Sequence, residues 1–429
     1  MASLARVDDI EGSRLASGLD DAFALVAARF FRREVRSRAR ACVAGMLSGL
    51  ERKTGWSLAE HAGENSPDGM QRLFTTARWD ADLVRDDVRD YVVSALGDPD
   101  GVLIGDDTGF EKKGRLLGRG AAAVHGHRGQ DHELPARRVP RLRRAEGARP
   151  DRPGALPAPV LDGRRGPPGS GEGAAGHAVP DQAAAPAADD RAGAAGIPFA
   201  WVTADEAYGD NGPLRAFLEE QQVSYVLAVS RDHVITTPAG RRHADALAVA
   251  LPKRAWQRIS CGNGAKGRRW YDWALVATSR PEISLLIRRN TARPSELAFY
   301  LCHTPRPAPL AQLVKVAGAR WAVEECFQAG KNEAALDHYQ VRLYPAWYRY
   351  VTLAMLALAW LAVTRASLAD DSDDSDDLVT SANEIRRMFT ALCGPPRDEH
   401  HARHWSRWRH CHQERARRCH YQRQQLQDH

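Results

Sequence analysis

The sequence predicts an α/β fold with an all-α module in front of it and a helical, basic tail behind it. Three observations carry this. Gly101-Val102-Leu103-Ile104-Gly105-Asp106-Asp107-Thr108-Gly109-Phe110 is a short apolar run that ends in acids. Ile197 to Gly209 repeats the design, with a buried-looking strand followed by Asp205, Glu206 and a turn. Residues 231–305 then break into short runs of strand-forming residues separated by turn residues.

In chain order, residues 1–20 read as frayed. From Asp21 the pattern becomes helical: Ala22-Phe23-Ala24-Leu25-Val26, then Phe30-Phe31 and a basic run from Arg32 to Arg40. Further helices hold Met46, Leu47 and Leu50 on one face and Met70, Leu73 and Phe74 on another. Trp79-Asp80-Ala81-Asp82 opens a helix whose Val84, Val88 and Val92 repeat at the i, i+4, i+8 spacing of a buried stripe. Residues 1–100 therefore form one helical N-terminal module. The strand Val102–Ile104 delivers Asp106 at its carboxyl end. Asp107 is adjacent and points the other way on an extended chain. Lys112 and Lys113 follow as phosphate contacts or as solvated turn lysines.

From Arg115 to about Gly196 the composition changes. This block has no Phe, Tyr, Trp, Ile, Met, Asn, Thr, Lys or Cys, and nothing in it alternates at period 2 or 3.6. Such a composition buries too little apolar surface to offset its ordering entropy. Two explanations stand: a disordered linker, or DNA read out of frame across this stretch.

Beyond Asp205 the pattern recovers, with a helix over Leu214–Gln221 and a strand over 223–229. Strands follow at Trp273–Ala277, Ser284–Arg288 and Glu296–Cys302. Gly264 to Trp270 reads as a cationic hairpin tip, either solvated or touching a nucleic acid. Read as one helix, Arg320, Glu324 and Lys331 sit at i, i+4 and i+11, close to one face. That pattern also fits a solvated helix with an i,i+4 charge pair. Tyr350–Val363 is apolar but short of the ~20 residues of a membrane span, so it reads as a core helix. After the acidic run Asp370–Asp377 comes an amphipathic helix over Leu378–Leu392. The tail interleaves His404, Trp405, Arg407, Trp408, Arg409, Arg415, Arg417 and Arg418. Such a tail is either frayed in solvent or able to neutralise phosphates and stack on bases. His410, Cys411, His412, Cys419 and His420 do not have the spacing of a standard zinc finger.

Acids at the carboxyl ends of two strands, with a third on a helix, are what two-metal phosphoryl transfer requires. Mg²⁺ prefers carboxylate oxygens, and two ions about 4 Å apart clamp the attacking and leaving oxygens.

With these residues in hand, the chain resembles the DDE transposases of bacterial insertion sequences. The branch it resembles carries a Tyr-x2-Arg-x3-Glu-x6-Lys signature. Arg320, Glu324 and Lys331 match that spacing, while Ala317 stands at the Tyr position. Asp106 in Asp-Asp-Thr-Gly-Phe and Asp205 before Glu-Ala-Tyr-Gly complete the resemblance, which covers most of residues 30–114 and 197–425. It implies an RNase H-like catalytic core over 101–114 and 197–366, with 231–305 as a β-rich insertion and 367–429 as acidic linker, helix and basic tail. It implies that Asp106, Asp205 and Glu324 are catalytic and hold two Mg²⁺ ions, with Mn²⁺ able to substitute. Arg320, Lys331, Tyr208, Lys112 and Lys113 become DNA contacts. The implied activity is metal-dependent cutting at the element's ends and strand transfer into target DNA. The alternative is a catalytically dead remnant that still binds DNA. The implied partner is double-stranded DNA, bound by a homodimer, with no membrane and a cytoplasmic, nucleoid-associated location. The N-terminal module is either an end-binding domain or a packing cap.

The whole-chain bounds agree. At 429 residues there is room for two or three domains. A net charge of +6 and a pI near 9.0 fit a polyanionic partner, although many metabolic enzymes share them. A hydrolase of small phosphoesters fits poorly with the basic tail and the helical module. The seven cysteines include no C-x-x-C pair, which suits reduced thiols, and the N-terminus shows no signal-peptide core.

Overall fold

Helix begins at once, as α1 (Ala2–Ala27) and α2 (Arg33–Leu47). The computed structural model describes residues 2–109, 136–143, 196–264, 267–371, 380–394 and 398–427. They fall into two units, Met1–Val88 with Ala329–His429, and Arg89–Gln328. The frayed start expected for residues 1–20 is replaced by helix, because Leu15, Leu19, Ala22, Phe23 and Val26 make one buried stripe. Phe30 closes that stripe, stacked on Phe23 at 5.9 Å and tilted against Trp79 at 5.1 Å.

Three more helices follow. In α3 (Gly55–His61) a capping box joins Thr54 and Ser57, and α4 (Asp68–Thr75) buries Met70, Leu73 and Phe74. Along α5 (Ala81–Leu96) the expected stripe of Val84, Val88 and Val92 is buried.

The second unit is built on an eight-stranded sheet. Its strands are β1 (Val102–Gly109), β2 (Ala136–Arg143), β3 (Trp201–Ala204), β4 (Ser224–Val229), β7 (Gln257–Gly264), β8 (Gly267–Ala277), β9 (Ile283–Asn290) and β10 (Leu297–His303). A separate ribbon pairs β5 (Val234–Thr237) with β6 (Gly240–His243). The sheet order is β2-β1-β3-β4-β10-β9-β8-β7, with β1, β3 and β4 parallel and the other neighbours antiparallel. All four residues of β3 are buried, as a central parallel strand covered on both faces requires.

This layout changes two sequence readings. The stretch read as a β-rich insertion mostly extends the main sheet, because the buried strand β10 pairs with β4 and carries β9, β8 and β7 outward. Within the block where no packed element was expected, β2 pairs antiparallel with β1. The rest of that block, and with it the frame reading and the linker reading, lies outside the described residues.

Around the sheet lie α6 (Glu206–Gly209), α7 (Gly212–Glu220), α8 (Ala244–Ala250) and α9 (Leu310–Ala319). Leu313, Val314, Val316, Ala317 and Ala319 of α9 enter the core formed by Val102, Ile104, Trp201, Val226, Trp273 and Leu286. Gly318 is required there: a Cβ would come within 2.2 Å of the Cys261 carbonyl oxygen. The single helix expected over Arg320–Lys331 is broken. α9 ends at Ala319, Arg320 and Trp321 form a turn, and α10 runs Ala322–Ala334.

The chain closes with α11 (Tyr344–Asp371), α12 (Ala382–Cys393) and α13 (Glu399–Gln427). By length and composition Tyr344–Leu368 could cross a membrane, yet 67% of its apolar window is buried. Every residue from Val351 to Ala362 is buried, and α11 packs against α1, α2, α4 and α12, so it serves as the core helix of its unit. That packing places residues 329–366 with the N-terminal helices, whereas the sequence boundaries had grouped them with the sheet. Residues 89–100 shift the other way.

The tail reading also changes. Trp405 is fully buried, and its Nε1 donates to the Glu64 carbonyl at 2.8 Å. His401 and His404 meet the carbonyls of Glu60 and Asn65 at 2.9 Å, and Arg409 pairs with Glu60 at 2.6 Å. Trp408 and His412 stack on each other at 5.3 Å and meet Trp56 edge-on. Spaced at i, i+3, i+4, i+7, i+8 and i+11, these residues are one docking face of α13 rather than base-stacking groups. Arg407, Arg415 and Arg417 remain exposed.

Candidate active site

Asp106 and Asp205 are placed by strand register. In the parallel β1–β3 ladder Ile104 pairs with Thr203 and Gly105 with Ala204, and the next residue on each strand is the aspartate. Neighbouring strands lie about 4.8 Å apart, so two carboxylates leave the same end of the sheet side by side. The two strands then part. β1 continues to Gly109 along β2, while the chain after Ala204 turns into α6.

Asp205 starts that turn as its N-cap. Its Oδ1 accepts from the backbone N–H groups of Ala207 at 3.1 Å and Tyr208 at 3.3 Å, which fixes the side chain. Gly209 lets α6 sit on the sheet, since a Cβ there would fall 1.6 Å from the Ala228 carbonyl oxygen. Tyr208 is buried, with its ring carbons 3.7–3.8 Å from where a Cβ on Gly105 would stand. Its ring therefore packs beside Gly105, next to the strand end that carries Asp106.

Arg320, in the turn between α9 and α10, brings its Nη1 to 3.9 Å from Asp106 Oδ1. The distance is too long for a direct hydrogen bond but holds a cation beside the carboxylate. The Asp106 side chain is 16% exposed and that of Arg320 36%, so the pair is open on one side. Glu324 is exposed in the first turn of α10, one helical turn beyond Arg320. Glu324 N donates to the Trp321 carbonyl at 3.1 Å, so the turn stays close to helical. Among the described residues, no group of three or more His, Cys, Asp or Glu converges to hold a metal ion. The structure thus sets Asp106 and Asp205 just beyond a paired step of neighbouring strands with Arg320 beside Asp106, while Asp106, Asp205 and Glu324 form no such group among the described residues. Lys331 is exposed two turns further along α10, and Lys112 and Lys113 lie outside the described residues.

Sequence reasoning missed two nearby acids. Burial first, then the carboxylates of Asp210 and Asp205, push the Glu206 carboxyl above its ordinary range, while Arg320 pulls the other way. Asp210 pairs with His233 at 2.7 Å and accepts from the Ser230 N–H at 3.2 Å. The signal was the run Asp205-Glu206-Ala207-Tyr208-Gly209-Asp210, whose acids share one short helix and its two ends.

Oxygen donors alone, two of them adjacent and one carboxylate partly open, fit a hard divalent cation in chemistry. Comparison with known proteins bears on the same two residues. The family described as DDE superfamily endonuclease matches residues 25–258, more than half of the chain. The chain belongs to that family. The matched span contains Asp106 and Asp205 and stops before Arg320, Glu324 and Lys331. No curated protein matches the chain. Among solved structures, the piggyBac transposase synaptic complex with hairpin DNA is similar at 11% identity with a TM-score of 0.38. That similarity covers 76% of this chain, which spans 62% of the length of the piggyBac chain.

Proposed function

We propose that this member of the DDE superfamily endonucleases is an insertion-sequence transposase that cuts DNA at the element's ends and joins them to a target. The observation that supports it most is the shared register of Asp106 and Asp205 at the carboxyl ends of two parallel strands. Those carboxylates would hold divalent metal, Mg²⁺ or Mn²⁺, with Glu324 as the third ligand by its place in the signature. When bound, such ions activate water or a 3′-hydroxyl and offset charge on the leaving oxygen.

The chain's own groups do the rest. The backbone N–H groups of Ala207 and Tyr208 fix one oxygen of Asp205 and leave the other to bind. Arg320 sits where it neutralises a phosphate drawn beside Asp106. Lys331, with Lys112 and Lys113, would grip flanking phosphates, and joining two ends calls for a homodimer on double-stranded DNA. No covalent protein–DNA bond is needed. The test uses the gene with its own flanking DNA as substrate: the wild-type chain nicks at the flanks with Mg²⁺, while Glu324→Gln binds the same fragment without cutting. Retained cleavage by Glu324→Gln removes that residue from the site.

A second reading, a DNA-binding remnant without catalysis, is favoured by one observation: Asp106, Asp205 and Glu324 form no metal-holding group among the described residues. Salt-dependent gel shifts without any nicking in Mg²⁺ or Mn²⁺ are its signature. The composition of residues 115–196 bears on both readings. Resequencing the DNA that encodes it and translating every frame is expected to uncover a frame with patterned strands. A printed frame that stands alone ends the frame-disruption reading.

A further inference from the structure

We propose that a cleft in the helical unit binds a nucleobase with its attached phosphate. The cleft holds about 680 Å³ between α3, α4, the segment Gln340–Leu343 and the start of α11. That volume lies within the ~300–1,000 Å³ of sites for small molecules and is too small for a duplex. The ligand is therefore one unpaired nucleotide unit. It comes either from a free nucleotide or from an exposed base of a DNA strand.

The lining matches that chemistry group by group. Phe74 and Tyr350 form a buried floor with their rings 5.4 Å apart. The Tyr350 hydroxyl lies 2.8 Å from the Lys53 carbonyl and 3.1 Å from the Ala335 carbonyl, so the floor turns its polar end inward and offers apolar surface. Trp56 is a half-buried aromatic wall, held at 4.6 Å by Trp408 and at 4.7 Å by His412. A wall fixed in advance loses little side-chain freedom when a base stacks on it.

The rim is polar and exposed. Gln71 supplies an amide able to read a base edge, and Asp68 supplies an acceptor for an exocyclic amine. Arg72, whose Nε donates to the Asp68 carbonyl at 3.2 Å, and Arg342 provide cations for the phosphate. Aromatic wall, amide, carboxylate and two guanidinium groups around one cavity suit a base bearing an amine more than they suit thymine. None of these residues belongs to the acidic site, so the inference stands independently of the reading offered for Asp106 and Asp205.

The test uses the full chain in EDTA, which removes divalent metal. dCMP and TMP are titrated directly, and labelled oligo(dC) and oligo(dT) by fluorescence anisotropy. An iodinated cytosine in the oligo(dC) is photocrosslinked and the adduct mapped by mass spectrometry. The expected result is crosslinking to Trp56 or to the strip Gln340–Leu343, with cytosine preferred over thymine. Arg342→Ala should weaken binding about tenfold and reduce the salt slope by about one ion, and Arg342→Lys should restore part of it. Gln71→Ala, also at the surface, should lower base preference with the fold intact by circular dichroism. Tight oligo(dC) with weak dCMP assigns the source to a DNA strand, and comparable affinities assign it to free nucleotide. Crosslinks confined to other regions overturn the proposal. So does affinity unchanged in both variants, binding of neither nucleotide nor oligonucleotide, or binding of neutral indole alone.

Discussion

Asp106 and Asp205 occupy the same step on adjacent parallel strands, one residue beyond the Gly105–Ala204 pair. Everything the acidic site can do starts from that alignment. A slip of one residue in either strand would turn one carboxylate to the opposite face of the sheet. The buried runs Val102–Ile104 and Trp201–Ala204 hold the register, because each must keep its apolar side chains in the core.

Asp205 has two tasks that substitution can separate. Asn caps helices as well as Asp does, whereas Ala loses the cap at a cost of about 1 kcal/mol. Asp205→Asn is therefore expected to unfold at the wild-type denaturant midpoint while losing divalent-metal affinity. Asp205→Ala should lose both. Urea titrations of the two variants check the split.

Glu206 shares its surroundings with Asp205 and Asp210, and its carboxyl is pushed up, first by burial and then by those two charges. An acid whose pKa is raised in the folded state adds stability that is full below its unfolded value and lost as pH rises through the folded value. Glu206→Gln is therefore expected to stabilise the chain at neutral pH and to remove part of the fall in stability above the ordinary carboxylate range. Melting temperatures from pH 4 to pH 7 measure the difference.

Lys53 is buried in the helical unit, and its ammonium pKa is pushed down to about 8, mostly by burial and then by Arg386, against the pull of Glu333. A depressed pKa means that its stability contribution is present above the unfolded value of 10.5 and is lost as pH falls through about 8. Lys53→Met is expected to raise the melting temperature at pH 7 and to flatten its pH dependence between 8 and 10.5. The gain is on the order of 3 kcal/mol from the size of the shift. Glu333 keeps its own partners in that variant, with Arg386 Nε at 2.6 Å and Asn383 Nδ2 at 3.0 Å.

Trp405 fastens α13 to the loop after α3. Trp405→Ala removes a fully buried ring and its hydrogen bond to the Glu64 carbonyl, a change that typically costs about 3–5 kcal/mol. Limited proteolysis is expected to cut within Glu399–Gln427 much faster in this variant than in Arg407→Ala, which alters only an exposed side chain.

The strands that carry the acids were legible because an apolar run ending in Asp is short, local and bounded by turns. So were the buried valines of α5 and the core role of α11. Where the sequence misled, the cause was tertiary. His404, Trp405 and Trp408 read as either a frayed tail or nucleic-acid contacts because cation-and-aromatic composition looks alike whether the rings meet solvent, bases or the chain's own helices. The break at Arg320-Trp321 was hidden because Arg320 keeps helical backbone angles and the charged spacing survives the turn. Strands β7 to β10 read as a separate insertion because pairing of β10 with β4 is long-range, and no local pattern announces it. The burial of Tyr208 beside Gly105 is likewise a tertiary contact that no local pattern announces.

The most direct measurement is a calorimetric titration of Mn²⁺ into the wild-type chain, Asp106→Asn and Asp205→Asn at neutral pH, without DNA. Saturable binding by the wild type, weakened at least tenfold by either single substitution with the fold unchanged, is the expected result. Equal Mn²⁺ affinity in all three proteins would contradict a metal site shared by the two aspartates.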